Sequence, residues 1–104
     1  MAFELEISNA AEEDIQEAAA FIAADSPSAA IRWHTELWEL IFSLDHMPSR
    51  FPVIPEAEKL GTPYRSAMHY SHRVVYRIDE AKNTVFIVRV YHGARGPLHP
   101  NDLE

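Results

Sequence analysis

The chain reads as an α+β domain: an N-terminal strand, an antiparallel helical hairpin, then a three-stranded antiparallel meander, with the strands in one sheet packed on the two helices. Three observations predict it. Apolar residues alternate with period two at the N-terminus and in three stretches after residue 63, but recur with helical spacing in between. An Asp25-Ser26-Pro27 word splits the helical region in two. A proline-rich connector then separates helices from strands.

Length and composition set the frame. The 104 residues suffice for one compact domain, expected over residues 1–96 with a C-terminal tail at 97–104. Hydrophobic residues at 47% and charged residues at 24% are globular values, which argues against disorder. The absence of cysteine excludes disulfides and thiolate metal sites and fits a reducing cytoplasm, where the protein is expected to act. No signal peptide is visible, and no apolar run approaches the ~20 residues of a membrane helix, so no membrane partner is expected.

The first strand is Phe3, Leu5 and Ile7 alternating with Glu4 and Glu6, half-buried with one wet face. Ser8 and Asn9 are both good N-caps, and Asn9 with Glu12 fits a capping-box start. Ile15, Ala18, Ala19 and Ile22 then share one stripe of a helix over residues 10–24. Ser26 caps the second helix and Pro27 suits its first position. Ala30, Trp33, Leu37, Leu40, Ile41 and Leu44 form the apolar stripe of that helix. Trp38 and Phe42 widen it, which predicts burial on two sides, with both tryptophans in the core. The short turn between the helices makes them an antiparallel hairpin.

Residues 48–63 contain four prolines and form an irregular connector of the length that often carries function. Strands follow over residues 64–70, 73–79 and 84–91, the last two joined by a turn at 80–83. Residues after Gly96 read as a loose tail.

Charge is divided along the chain. The total is −7, but residues 1–63 carry −9 and residues 64–104 carry +2. Bulk attraction to nucleic acid is thereby disfavoured, while a local anion site in the late sheet is not. Five of the seven arginines and three of the six histidines lie between Tyr64 and Gly96. Period-two parity puts Val74, Tyr76 and Ile78 on one face and Arg73, Val75 and Arg77 on the other. In the last strand it groups Phe86, Val88 and Val90 against Val85, Ile87, Arg89 and Tyr91. The fully apolar faces must meet the helices. An outer face then presents Arg73, Arg77, Arg89 and Tyr91, joined by Arg65 and rimmed by His92 and Arg95.

Planar guanidiniums are receptors for phosphate or carboxylate, and a histidine beside them moves protons near neutral pH. Together they are parts of metal-free RNA cleavage, in which arginines stabilise the pentacoordinate phosphate. The same arginines equally suit pairing with acids of this chain or of a partner. His69 and His72, three apart on a strand, point to opposite faces, so no metal site is expected, and no cofactor is called for.

The element order and its words resemble the RelE/ParE superfamily of type II toxin–antitoxin toxins. The words are Ser8-Asn9-Ala10-Ala11-Glu12-Glu13-Asp14-Ile15, Ser26-Pro27-Ser28-Ala29-Ala30, Ile54-Pro55-Glu56-Ala57-Glu58-Lys59-Leu60-Gly61, Arg65, His72-Arg73-Val74-Val75-Tyr76-Arg77-Ile78 and Val90-Tyr91-His92-Gly93-Ala94-Arg95. They span residues 3–96. The resemblance implies a bacterial growth-inhibiting toxin in a hetero-oligomer with its cognate antitoxin. Its implied target is either mRNA on the ribosome, cut by a metal-independent endoribonuclease, or DNA gyrase, inhibited without catalysis. An inactive member that only binds its antitoxin is the third outcome. By position, Arg65, Arg73 and His92 would be catalytic, and Glu56, Arg77, Arg89, Tyr91 and Arg95 would bind substrate or antitoxin.

Overall fold

The computed structural model describes residues 2–103. Strand β1 (Glu4–Ile7) leads into helix α1 (Asn9–Asp25) and helix α2 (Pro27–Ser43). A 3-10 turn at Pro48–Arg50 and a short helix α3 (Ala57–Leu60) make up the connector. Strands β2 (Arg65–His69), β3 (His72–Asp79) and β4 (Thr84–His92) follow, then 3-10 turns at Gly93–Arg95 and Pro100–Leu103. The sheet order is β1-β4-β3-β2. The meander is antiparallel, whereas β1 lies parallel to β4, with Leu5 opposite Val85 and Ile7 opposite Ile87.

Both helices start where a hydroxyl can receive an orphan N–H. Ser8, rather than Asn9, caps α1: its Oγ accepts from Ala11 N at 3.0 Å. The same Oγ donates to Val88 O at 2.8 Å, fastening the helix start to β4. Ser26 caps α2 by accepting from Ala29 N at 3.2 Å, ahead of Pro27. α3 ends on Gly61 at φ 75°, where its N–H closes the turn on Ala57 O at 2.9 Å.

The main core lies between the hairpin and the sheet, where Leu37, Ile41, Val74, Tyr76, Val85 and Ile87 are fully buried. Burial of such side chains is worth roughly 1.5–3 kcal/mol each, the largest favourable contribution here. Tyr76 donates its hydroxyl to Pro48 O, which ties the connector beneath the sheet, and burial pushes its pKa up to about 12. Trp33 belongs to this core, but Trp38 is only half-buried and Phe42 is 61% exposed. Trp38 packs partly against the main core, while the rest of the second apolar side of α2, at Ile31 and Phe42, is exposed.

Three expectations are corrected. In β4 the residues facing the helices are Val85, Ile87 and Val90, not Phe86, Val88 and Val90. A bulge is the reason: Val75 faces Arg89 and Tyr76 faces Ile87, so Val88 is the extra residue and alternation resets there. Next, the outer sheet face is partly roofed. Ile54, Ala57, Val75, Tyr91 and Leu98 form a second cluster on that side. Leu98 is 3% exposed, so the segment after Gly96 is held rather than loose at that point. Third, His69 and His72 are direct cross-strand partners around a Tyr70-Ser71 turn. They share the helix-facing side instead of pointing apart.

Candidate functional site

On the outer face the buried ring of Tyr91 is ringed by guanidiniums, with the Cζ atoms of Arg95, Arg89 and Arg73 at 4.5, 5.7 and 5.9 Å from its centroid. Each arginine reaches this cluster differently. Arg73, opposite Tyr91 in the register, pairs with Glu56 of the connector at 2.8 Å. Both side chains are mostly buried, at 16% and 12% exposure. Glu56 also accepts from Leu98 N at 3.0 Å. The Arg73 hydrogen bond, with help from that amide, holds the Glu56 carboxyl well below its usual range, at about 2.

Arg89 sits at the bulge and reaches round the sheet edge to α1. It donates to both carboxylate oxygens of Asp14, at 2.7 and 2.8 Å, and to Asp102 O at 2.6 Å. Asp14 also accepts from Val90 N at 3.0 Å, an amide that the end of β1 leaves without a strand partner. The Asp14 hydrogen bond raises the Arg89 pKa further. Arg77 lies over Phe86 at 4.1 Å, and neither Arg77 nor Arg95 has an ion pair among the described residues. Two guanidiniums are thus committed inside the fold and two remain available.

Arg65 does not join this face. It is opposite Tyr76, whose side chain is in the main core, so it points to the helix side. There it donates to Ser49 O at 3.2 Å and Phe51 O at 2.6 Å and pins the connector. That tie holds it away from the outer-face arginines. His92 also lies on the helix side, opposite His72 at the far end of β3, with the two imidazole centroids 4.8 Å apart. Its Nδ1 accepts from Ala94 N at 3.0 Å. Arg73 is therefore on one face and Arg65 and His92 on the other, where Arg65 is opposite Tyr76 and His92 opposite His72, four residues apart along β3.

The helix side holds a cleft of about 740 Å³ between the hairpin and the β3–β4 end, lined by Trp33, Tyr70, His72, His92, Arg32 and Arg95 among others. His72 packs edge-on against Trp33, and its Nδ1 is buried without a partner among the described residues. Burial, with the nearby histidines, lowers its pKa, so it stays neutral. His69 is fixed by a 2.9 Å bond between its Nε2 and Trp33 O. Neither Asp14 nor His72 is expected beside these side chains from the sequence. Asp14 gives no local signal, since its partner is 75 positions away. His72 did give one, because Tyr70-Ser71 is a two-residue turn that makes His69 and His72 a pair.

The strand, helical hairpin and meander, in this order and sheet topology, match the fold of RelE/ParE-like toxins. The model of the family described as "ParE toxin of type II toxin-antitoxin system, parDE" matches residues 5–97, and the chain belongs to that family. Among solved structures, it is similar to a chain of the RelBE2 toxin–antitoxin complex from Mycobacterium tuberculosis. The identity is 25% and the TM-score 0.63, over 88% of this chain and 92% of that one. It is also similar to a chain of the chromosomal ParDE toxin–antitoxin system from P. aeruginosa, at 12% identity and TM-score 0.66, over 88% and 96%. The latter likeness is one of fold alone. No curated protein sequence matches the chain.

Proposed function

We propose that this toxin arrests growth by binding DNA gyrase, without cutting a nucleic acid, and is held inactive by an antitoxin. The observation that carries the reading is the separation of Arg73 from Arg65 and His92, which puts the RNA-cleavage parts on two faces of the sheet. General acid–base work needs its groups within hydrogen-bond reach of one reacting centre. The net charge of −7 adds to it, because docking on ribosomal RNA would set like charges together. A supercoiling assay with purified gyrase tests it. Inhibition at micromolar toxin is expected; unaffected supercoiling together with codon-specific mRNA cleavage would overturn it.

The antitoxin's acids would meet Arg77 and Arg95, the outer-face cations with no ion pair among the described residues. Arg89 is excluded from that duty by Asp14.

A further inference from the structure

We propose that the outer face of the helical hairpin is a homodimer interface, on which a second copy of this chain lays its α2 antiparallel about a two-fold axis near the middle of that helix. This inference does not rest on the gyrase reading.

Ile31, Thr35, Trp38 and Phe42 recur at spacings of three and four, so they share one face of the 17-residue α2. That face is turned away from the core stripe of Trp33, Leu37 and Ile41, with only Trp38 half-buried and touching the main core. Ile31 is 69% exposed and Phe42 61% exposed, an apolar stripe with nothing from the described chain over it. Its two ends differ in shape. The C-terminal half is a ridge, where the Trp38 and Phe42 rings stack with centroids 5.6 Å apart. The N-terminal half borders a groove of about 450 Å³ floored by Ala19, Ala20 and Ala23 of α1, beside Ile31.

Ridge and groove fit each other only when the second helix runs the opposite way. A two-fold between Glu36 and Leu37 sets Phe42 of each copy against Ile31 and the alanine groove of the other. The same axis sets Trp38 against Thr35. Small groove residues allow helices to approach to roughly 8–10 Å. The contact is isologous, so it closes at two copies and does not propagate. Charge agrees with this direction. Arg32 and Glu39, both exposed on one flank of α2, face each other across the two-fold, twice. A parallel arrangement would set Arg32 beside Arg32 and Glu39 beside Glu39, which costs rather than stabilises. The surface thus complements itself in shape and charge, which is why a second copy is its occupant.

Sedimentation of the purified full chain at micromolar concentration should give twice the 11.9 kDa chain mass. Phe42→Glu should weaken the dimer by more than about tenfold, with an unchanged circular dichroism spectrum because that side chain is exposed. The chain has no cysteine, so Thr35→Cys beside the axis should form an intermolecular disulfide under mild oxidation. Lys82→Cys, in the distant β3–β4 turn, should not. A monomeric wild type, a dimer indifferent to Phe42→Glu, or Thr35→Cys linking no faster than Lys82→Cys would overturn the proposal. So would a monomer whose stripe proves to be covered by another protein.

Discussion

Glu56 belongs to the fold before it belongs to any partner. Its carboxylate holds Arg73 on one side and the Leu98 amide on the other, both in poorly hydrated surroundings. Removing one member of a buried pair leaves the other charge uncompensated. Glu56→Gln should therefore destabilise the protein by about 3 kcal/mol, read by urea denaturation. Its pH dependence follows from a folded pKa of about 2 against the model-compound 4.5. A depressed carboxyl stabilises above the unfolded pKa, and that contribution is lost as pH falls from 4.5 toward 2. His72 acts earlier on the same acid limb. Its folded pKa is also lowered, but a histidine gives up stability when the unfolded chain gains a proton the fold refuses. Loss should begin as pH falls below 6.5. His72→Phe, which keeps an edge against Trp33, should flatten the fall of the melting temperature as pH drops below 6.5. A wild-type melting temperature that stays constant there would contradict the assignment.

At the scale of elements, caps and turns decide how the pieces join. Ser8 both caps α1 and ties it to β4, so Ser8→Ala should cost about 1–2 kcal/mol. Gly61 terminates α3 at φ 75° with open space around its Cα, so Gly61→Ala should cost about 1 kcal/mol from backbone strain alone. Thermal unfolding of the two variants checks both values. These joints also mark how much the sequence discloses. Element order, the Ser26-Pro27 restart and the Trp33-Leu37-Ile41 stripe follow from periodicity and capping chemistry, which are local. Alternation likewise places Val74 and Tyr76 inward in β3. It fails in β4, because a bulge adds a residue without changing composition, and nothing in Phe86-Ile87-Val88-Arg89 announces it. Arg65 was misplaced for a related reason: its face depends on pairing with Tyr76 and on the proline turn, both settled by tertiary contact. The second cluster under α3 and Leu98 required long-range packing that no window of sequence contains.

For the whole molecule, the outcome is a division of its cations. Among the described residues Arg73 and Arg89 are ion-paired and Arg65 pins the connector, whereas Arg77 and Arg95 have no ion pair. Charge reversal separates the two groups. Arg77→Glu should weaken antitoxin binding by more than about tenfold at unchanged melting temperature, whereas Arg89→Glu should lower the melting temperature by setting two carboxylates together. Titration calorimetry beside thermal unfolding distinguishes them. His92 is the residue on which binding and cleavage differ most, since metal-free cleavage needs a proton carrier and inhibition by binding does not. The most direct measurement is induction of His92→Ala beside the wild type, with growth and primer extension of translated mRNA followed together. Equal growth arrest with intact transcripts in both strains is predicted; codon-specific cleavage in the wild type that disappears with the histidine would contradict it.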